Sequence, residues 1–327
     1  MTVSQVRRGS DDPDANPEAR PPAGLAWVPG RTFNMGSNKH YPEEAPVHPV
    51  TVDGFWIDIT PVTNRQFAAF VKATGHVTTA EKTPQAADYP GARPGMLKAG
   101  SLVFTQPRGP VVGSDIRQWW TFKFGANWKR PYGGLSNIRG NFDHPVVHVS
   151  YSDAIAYAHW ADKDLPTEAE WELAARGGLD EMEFAWGSEL TPDGILMANT
   201  WQGTFPTSST KPRGSDRTSQ VASYPPNGYG LYDMIGNVWE WTADFWSTRH
   251  SQPAAHSCCI PSNPRGGARE ASFDPREPNI QIPRRVLKGG SHLCAPNYCR
   301  RYRPAARHAE PEDTSTSHVG FRCVRRE

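Results

Sequence analysis

The chain has 327 residues, long enough for one large domain or two ordinary ones. Its 35 basic and 34 acidic side chains nearly cancel, so no global field draws it to nucleic acid or an anionic membrane. With 29 glycines and 31 prolines it is rich in loops, yet 12 tryptophans point to a packed core or a lined cleft rather than to disorder.

Residues 1–22 carry Asp11, Asp12, Asp14 and Glu18 among prolines, without an apolar stretch. They read as a disordered tail, followed by one domain over 23–327. Neither a secretory segment nor an apolar run of membrane-spanning length is visible, which sets the expectation of a cytoplasmic protein with no membrane partner. Residues 25–36 alternate apolar and small side chains around Pro29-Gly30, like a hairpin, and 50–59 read as a further strand. Phe67, Phe70 and Val71 stand at helical spacing over 63–73, with Thr63 or Asn64 as N-cap and Gly75 past the end. Residues 77–142 mix glycine, proline and aromatics without a period and form a long structured excursion. Ser150 or Ser152 caps a second helix through Trp160. Thr167-Glu168-Ala169-Glu170 is a capping box that opens a third, which stops at Gly177-Gly178. Further on, Trp239 and Trp241 alternate with Val238, Glu240 and Thr242 as a strand, and 320–324 close the chain. Residues 208–219 and 247–283 hold few large apolar side chains and read as exposed insertions. The sum is an α+β chain with little regular structure, no internal repeat and no βαβ rhythm. It has neither a Walker phosphate loop nor a G-x-G-x-x-G fingerprint, which argues against a nucleotide enzyme.

Five cysteines, at 258, 259, 294, 299 and 323, are an odd number, so at least one thiol stays free or pairs between molecules. A disulfide between the adjacent Cys258 and Cys259 would be strained, and both read as free thiols. Cys294 and Cys299 differ. Five residues apart, they would lie about 140° from each other on a helix and on opposite faces of a strand. Pro296 and Asn297 between them favour a turn over 295–298 that folds both sulfurs toward one point. Arg300, Arg301 and Arg303 follow at once, and cationic neighbours favour the thiolate. Two converging thiols make a disulfide, a redox pair or a soft-metal site, and the residues alone leave the three open. His144 and His148 flank Pro145-Val146-Val147, and alternation on a strand leading into a helix accounts for them without a metal. Trp119, Trp120 and Trp128 read first as core, with the lining of a peptide groove as the alternative. Of the arginines at 300–307, some support the thiolates and some pack as strand.

The landmarks stand in order: WVPGRTFNMGS (27–37), PVTNRQFAAFV (61–71), HPVVHVSYSDAIAYAHWA (144–161) and LPTEAEWELAARGG (165–178). Then come ANTWQGTFP (198–206), NGYGLYDMIGNVWEWT (227–242), GGSHLCAPNYCRRYRPAAR (289–307) and HVGFRC (318–323). Over about residues 24–325 the chain resembles the formylglycine-generating enzymes, the sulfatase-modifying factors. Most of these landmarks are shared by the wider superfamily and imply its fold, a single large C-type-lectin-like α+β domain. The cysteine pair resembles the enzyme subgroup.

That resemblance implies oxidation, by O2, of the cysteine in a sulfatase Cys-x-Pro-x-Arg segment to Cα-formylglycine. It implies Cu(I) held by the thiolates of Cys294 and Cys299, with the substrate thiolate as a third ligand and a thiol or other reductant restoring the metal; a soft monovalent ion suits such donors. Ser291 and Tyr298 match positions beside the metal and the oxygen. Asp233, Gly236, Val238 and Glu240 match a calcium loop, where two carboxylates and the carbonyls of a tight turn suit a hard cation; a capped turn is the alternative. Another calcium position begins at Asn199 and Thr200, but the carboxylate that should follow falls on Arg213. His318 stands where the family places a polar substrate contact, and Cys323 has no matching disulfide partner, in keeping with a reducing compartment. The implied partner is an unfolded or peptide segment of a sulfatase, met by a monomer. A competing reading is a non-catalytic lectin-like or peptide-binding module of the same superfamily, separated from the first by the paired thiols. An iron-dependent sulfoxide synthase is disfavoured, because no H-x-x-x-H-x-E stretch is present.

Overall fold

The computed structural model describes residues 22–113, 115–212, 217–250 and 260–327. Apart from Pro22, the tail expected over 1–22 lies outside the described residues, as do Cys258 and Cys259.

Strands β1 (Leu25–Val28) and β2 (Arg31–Met35) flank Pro29-Gly30, but they do not pair with each other as a hairpin would require. Instead β2 pairs with β3 (His48–Val52), and β1 with β4 (Phe55–Asp58), both antiparallel. The register is unbroken from Leu25↔Asp58 to Met35↔His48. The four strands are therefore one long ribbon, bent where Pro29-Gly30 crosses Asp53-Gly54. The bend demands small residues: a Cβ on Gly30 would lie 2.6 Å from the Gly54 nitrogen, and one on Gly54 would lie 2.3 Å from the Trp27 ring. The same crossing splits the single strand expected over 50–59 into two.

The stretch read as an aperiodic excursion contains a second antiparallel pair, β5 (Gly100–Phe104) and β6 (Trp120–Phe124). A long connection joins them, and although β5 alternates, exposure in β6 does not, so neither a short hairpin turn nor a matching period of two announces the pair. The central sheet gathers β7 (Trp239–Phe245), β8 (Arg284–Lys288), β9 (Arg307–Pro311) and β10 (Val319–Gly320) in the order β10-β7-β8-β9. In it β10 runs parallel to β7, and the other neighbours are antiparallel. Finally β11 (Val324–Arg325) pairs with β4 and closes a three-stranded sheet with β1.

The helices begin where their capping chemistry places them. Thr63 caps α1 (Asn64–Thr74) in a capping box with Gln66, and Gly75 ends it in the left-handed conformation. Ser150, not Ser152, caps α2 (Tyr151–Trp160), with Asp153 completing the box. Thr167 and Glu170 do the same for α3 (Glu168–Arg176), which Gly177 terminates at φ 58°. Each cap contributes about 1 kcal/mol. His148 departs from the strand expected there: it is fully buried at φ 61°, with Nδ1 on Ser101 Oγ (2.7 Å) and Nε2 on the Pro131 carbonyl (2.8 Å). Both ring nitrogens are thus engaged by protein.

One apolar core, centred on Trp171, Trp241, Phe67 and Phe321, ties the sheets to the helices. Although α3 is rich in charge, every one of its residues is buried, and the central sheet, Arg326 and the helix's own Arg176 supply the counter-charges. Lys288 of β8 reaches Glu172 at 3.0 Å and Glu168 at 3.5 Å, Arg307 of β9 reaches Glu168 at 2.8 Å, and Arg176 meets Glu172 at 2.6 Å. A smaller cluster of Trp119, Trp201, Phe205, Leu293 and Ala295 packs beneath residues 291–299. Among the described residues no helix is long and apolar enough to cross a membrane.

Breaking a buried charge network from one side leaves carboxylates without compensation. Replacing Lys288 by Met should destabilise the fold by about 3 kcal/mol, read as a lower urea midpoint at unchanged slope. A loss below about 1 kcal/mol would mean that Arg176 and Arg307 suffice to neutralise Glu172 and Glu168.

Candidate active site

Strand β8 delivers the chain to Gly289-Gly290, both left-handed at φ 91° and 72°. A Cβ on Gly290 would lie 2.7 Å from the Arg301 carbonyl oxygen, so only glycine lets the returning chain pass. Two turns follow. The Cys294 N–H donates to Ser291 O at 3.0 Å, and the N–H groups of Tyr298 and Cys299 both donate to Ala295 O, at 3.0 and 2.8 Å. The two sulfurs end 3.4 Å apart, both as free thiols. Neighbouring segments pin this turn. Asn297 exchanges two hydrogen bonds with the Phe205 backbone, at 3.0 and 3.2 Å. Trp201 N–H donates to Cys294 O, while the backbone and ring Nδ1 of His292 hold the Asn237 carbonyl.

Burial works against a thiolate here, and the protein supplies two opposing influences. The two thiols share a hydrogen bond at 3.4 Å, and Arg301 Nη1 lies 3.9 Å from Cys299 Sγ. Arg301 is itself fixed by Glu43 at 2.7 Å and stacked 3.9 Å from the Tyr41 ring centre. The Cys294 hydrogen bond, followed by the Arg301 charge, pushes the Cys299 thiol down. Burial, followed by the developing charge on Cys299, pushes Cys294 up. The pair is asymmetric: the neighbouring Arg301 charge favours the thiolate at Cys299 rather than at Cys294. Of the three arginines that follow, only Arg301 serves the sulfurs. Arg300 pairs with Glu183, and the buried Arg303 pairs with Glu44.

Ser291 is fully buried beside the pair. Its Oγ accepts the Leu293 N–H at 3.2 Å, which leaves the hydroxyl proton able to point elsewhere. Tyr298 is half exposed, stacked on Phe205 at 4.3 Å and edge-on to Trp119 at 6.0 Å. Burial raises its phenol pKa and keeps it protonated.

Cys294, Cys299, Ser291 and Tyr298 all line one open groove of about 450 Å³. Trp120 and Leu102 contribute from β6 and β5, Trp239 from β7, and His308 and Glu310 from β9, along with Arg301 and His318. The three tryptophans of the excursion therefore part ways: Trp119 and Trp128 are buried, while Trp120 faces the groove. His318 packs its ring 4.8 Å from that of Trp120 and hydrogen-bonds Thr316 through Nδ1. Sequence reasoning missed His308, Glu310 and the Glu43–Arg301 contact. His308 and Glu310 are two apart on one strand, a signal readable only once β9 is recognised.

The candidate calcium residues lie elsewhere. In the 233–240 loop, Asp233 Oδ2 accepts the Ala222 N–H at 2.8 Å, whereas Oδ1 has only a 3.4 Å contact from Asn237. Burial pushes the Asp233 carboxyl up to about 6. Glu240 is held by Arg322 at 2.8 and 2.9 Å and by the Trp171 indole at 2.7 Å. Among the described residues no hydrogen bond ends on the carbonyl oxygen of Gly236 or of Val238, although both residues are buried. At the other position, Asn199 Oδ1 accepts from the Lys211 ammonium and Thr200 Oγ1 accepts from Gln202 at 3.1 Å.

A family model described as the sulfatase-modifying factor enzyme 1-like domain matches residues 10–327. The chain is 51% identical to the formylglycine-generating enzyme of Mycobacterium tuberculosis over 301 residues, 92% of this chain and 97% of that one. It is also 34% identical to the inactive C-alpha-formylglycine-generating enzyme 2 of Bos taurus, over 92% of this chain and 87% of that one. Among solved structures, PvdO from Pseudomonas aeruginosa shares the fold, with a TM-score of 0.59, 23% identity and coverage of 93% and 94% of the two chains.

Arg301→Ala should raise the Cys299 pKa in metal-free protein, because the thiolate loses its nearest cation. Alkylation by iodoacetamide at pH 7 should slow about tenfold, with the rate profile displaced to higher pH. An unchanged profile would remove Arg301 from this role.

Proposed function

We propose that this chain, which belongs to the sulfatase-modifying factor family of formylglycine-generating enzymes, oxidises a cysteine of a sulfatase segment to Cα-formylglycine, with O2 as oxidant and Cu(I) as resident metal. Membership alone does not decide activity, since a relative named inactive aligns along almost the whole chain. The observation that carries the reading is the pair of free sulfurs 3.4 Å apart at the wall of an open groove. A binding module would have no use for two converging thiols beside a fixed cation.

The donor set suits Cu(I). Both sulfurs are soft, and among the described residues no carboxylate or imidazole hydrogen-bonds to either, so nothing favours a harder ion. Bound by Cys294 and Cys299, copper supplies a site for O2 and a soft position for the substrate thiol. The chain's own groups do the rest. Arg301 beside Cys299 favours the thiolate form that a soft metal would require of both sulfurs. The Arg301 charge, oriented by Glu43, balances the negative sulfurs. The hydroxyl protons of Ser291 and Tyr298 can be donated to oxygen that gains charge. Trp120, Leu102 and Leu293 line the groove with apolar surface, which limits water around the reacting sulfur.

The electron balance requires a reductant. Taking CH2–SH to a thioaldehyde removes two electrons, and hydrolysis then releases sulfide and leaves the aldehyde. Reducing O2 to water takes four, so two more come from an external thiol or equivalent donor.

We also propose a structural calcium at the 233–240 loop. Asp233 Oδ1 and the carbonyls of Gly236 and Val238 are oxygen donors without good partners, whereas both Glu240 oxygens already meet the Arg322 guanidinium, so a cation there would rest chiefly on Asp233 and the two carbonyls. Such hard, neutral and anionic oxygens fit calcium. Asn199 and Thr200 do not fit a cation, because the Lys211 ammonium already meets the Asn199 oxygen. We assign none there.

Either Cys294→Ser or Cys299→Ser should abolish conversion of a Cys-x-Pro-x-Arg peptide under O2, in protein loaded with one Cu(I) per chain. Peptide mass spectrometry reads the aldehyde directly. Retention of full turnover in both variants would exclude the two-sulfur mechanism.

A further inference from the structure

The loop that starts at Asn199 closes on a cation of its own. Two bonds fold it back: Trp201 Nε1 donates to the Ser208 carbonyl at 3.0 Å, and the Thr210 N–H donates to the Gln202 carbonyl at 2.8 Å. The next residue, Lys211, is thereby set beside the start of the loop, where its ammonium donates to Asn199 Oδ1. The nitrogen of that amide is equally committed, to the Arg217 carbonyl at 2.9 Å and to Ser219 Oγ at 3.2 Å. Asn199 is 1% exposed, so water does not compete for it.

The backbone of the same segment reaches the cysteine turn at two points. The Asn199 carbonyl accepts the Asn237 N–H at 2.8 Å, and the Asn237 carbonyl accepts the N–H and Nδ1–H of His292 at 3.0 and 2.8 Å. Two residues on from Asn199, the Trp201 N–H donates to the Cys294 carbonyl at 3.0 Å. A Cβ on Gly236 would lie 2.5 Å from the Asn199 carbonyl oxygen, so the two loops are in backbone contact. Whatever fixes Asn199 therefore fixes the platform beneath residues 291–294.

The resemblance places a structural calcium at Asn199 and Thr200, and the residues here oppose one. From 199 to 219 the sequence carries Lys211, Arg213 and Arg217 against a single acid, Asp216. Calcium takes about six to eight oxygens, usually with carboxylates among them, and an ammonium on a shared oxygen repels it. We propose that the Lys211 ammonium replaces that cation: it is a positioning group that braces Asn199 and, through it, keeps the cysteine turn closed without calcium at this position. Both ions seek oxygen, but an ammonium carried on the chain cannot be drawn off by a chelator, and its three N–H groups need no anionic partner at every contact. The assignment concerns copper-free protein and does not need the oxidase reading.

Hydrogen exchange read by mass spectrometry tests it, in millimolar calcium so that the 233–240 loop is in one state throughout. Lys211→Met keeps the aliphatic stem and removes the donors. Its Trp201, His292 and Cys294 amides should exchange about tenfold faster than in wild type, with the amides of α1 and α3 unchanged. A purely global loss of stability would instead speed exchange everywhere. Lys211→Glu supplies the missing carboxylate. By equilibrium dialysis it should take up one calcium per chain more than wild type, and in calcium its turn amides should exchange at the wild-type rate. Wild-type exchange in Lys211→Met, uniform acceleration, or two calcium ions per chain in wild type overturns the assignment. So does a folded Lys211→Glu that gains no calcium; if that variant does not fold, Lys211→Met decides alone. Peptide oxidation is scored separately, and its absence in wild type would sink the oxidase reading while leaving these outcomes untouched.

Discussion

Two sulfurs held 3.4 Å apart in a buried turn cannot both carry a full charge unaided. At an effective dielectric near 20 their repulsion is about 5 kcal/mol, equivalent to between three and four pKa units. The protein resolves the conflict only halfway: a proton shared between the sulfurs and the Arg301 charge beside Cys299 limit the pair to one thiolate. A monovalent soft cation between the sulfurs would resolve it fully by replacing the proton. The arrangement is therefore poised, and its poise depends on the turn remaining closed.

What keeps it closed lies outside the turn. The left-handed Gly289-Gly290 step reverses the chain, Asn297 ties the tip to Phe205, and the Trp119–Trp201–Phe205 cluster fills the space beneath. Behind the step, Lys288 and Arg307 anchor the ends of β8 and β9 to the buried carboxylates of α3. Such ion pairs contribute little net stability compared with apolar packing, but they tolerate only one arrangement of the strands. The same rung that fixes the cysteine turn thus fixes the origin from which His308 and Glu310 are spaced along the groove. Geometry at the sulfur end and at the carboxylate end has one common reference.

The helices were legible in the sequence because their ends are local chemistry: Thr63 with Gln66, Ser150 with Asp153 and Thr167 with Glu170 need only four residues each. The turn between Cys294 and Cys299 was legible for the same reason, through Pro296 and Asn297. The ribbon of β1 to β4 was not, because its bend depends on Gly30 meeting Gly54, two positions far apart in sequence. The β5–β6 pair was hidden by its long connection, and with it the difference between a buried Trp119 and a groove-facing Trp120. Of the arginines after Cys299, sequence gave no means to tell which faces a sulfur. That choice is made by Glu43, Glu44 and Glu183, which arrive from elsewhere in the chain.

The fold is shared with proteins of low identity, so it explains neither the chemistry nor its absence. What separates an oxidase from a binding module here is whether the groove holds a reactive centre, and this one holds two sulfurs, a fixed cation and two hydroxyl groups together. A module that merely held peptides would gain from apolar walls and from a carboxylate such as Glu310, yet the buried thiol pair would bring only desolvation and repulsion. Their retention in a turn with so many independent restraints is intelligible when the sulfurs are ligands. The apolar walls then limit water around them.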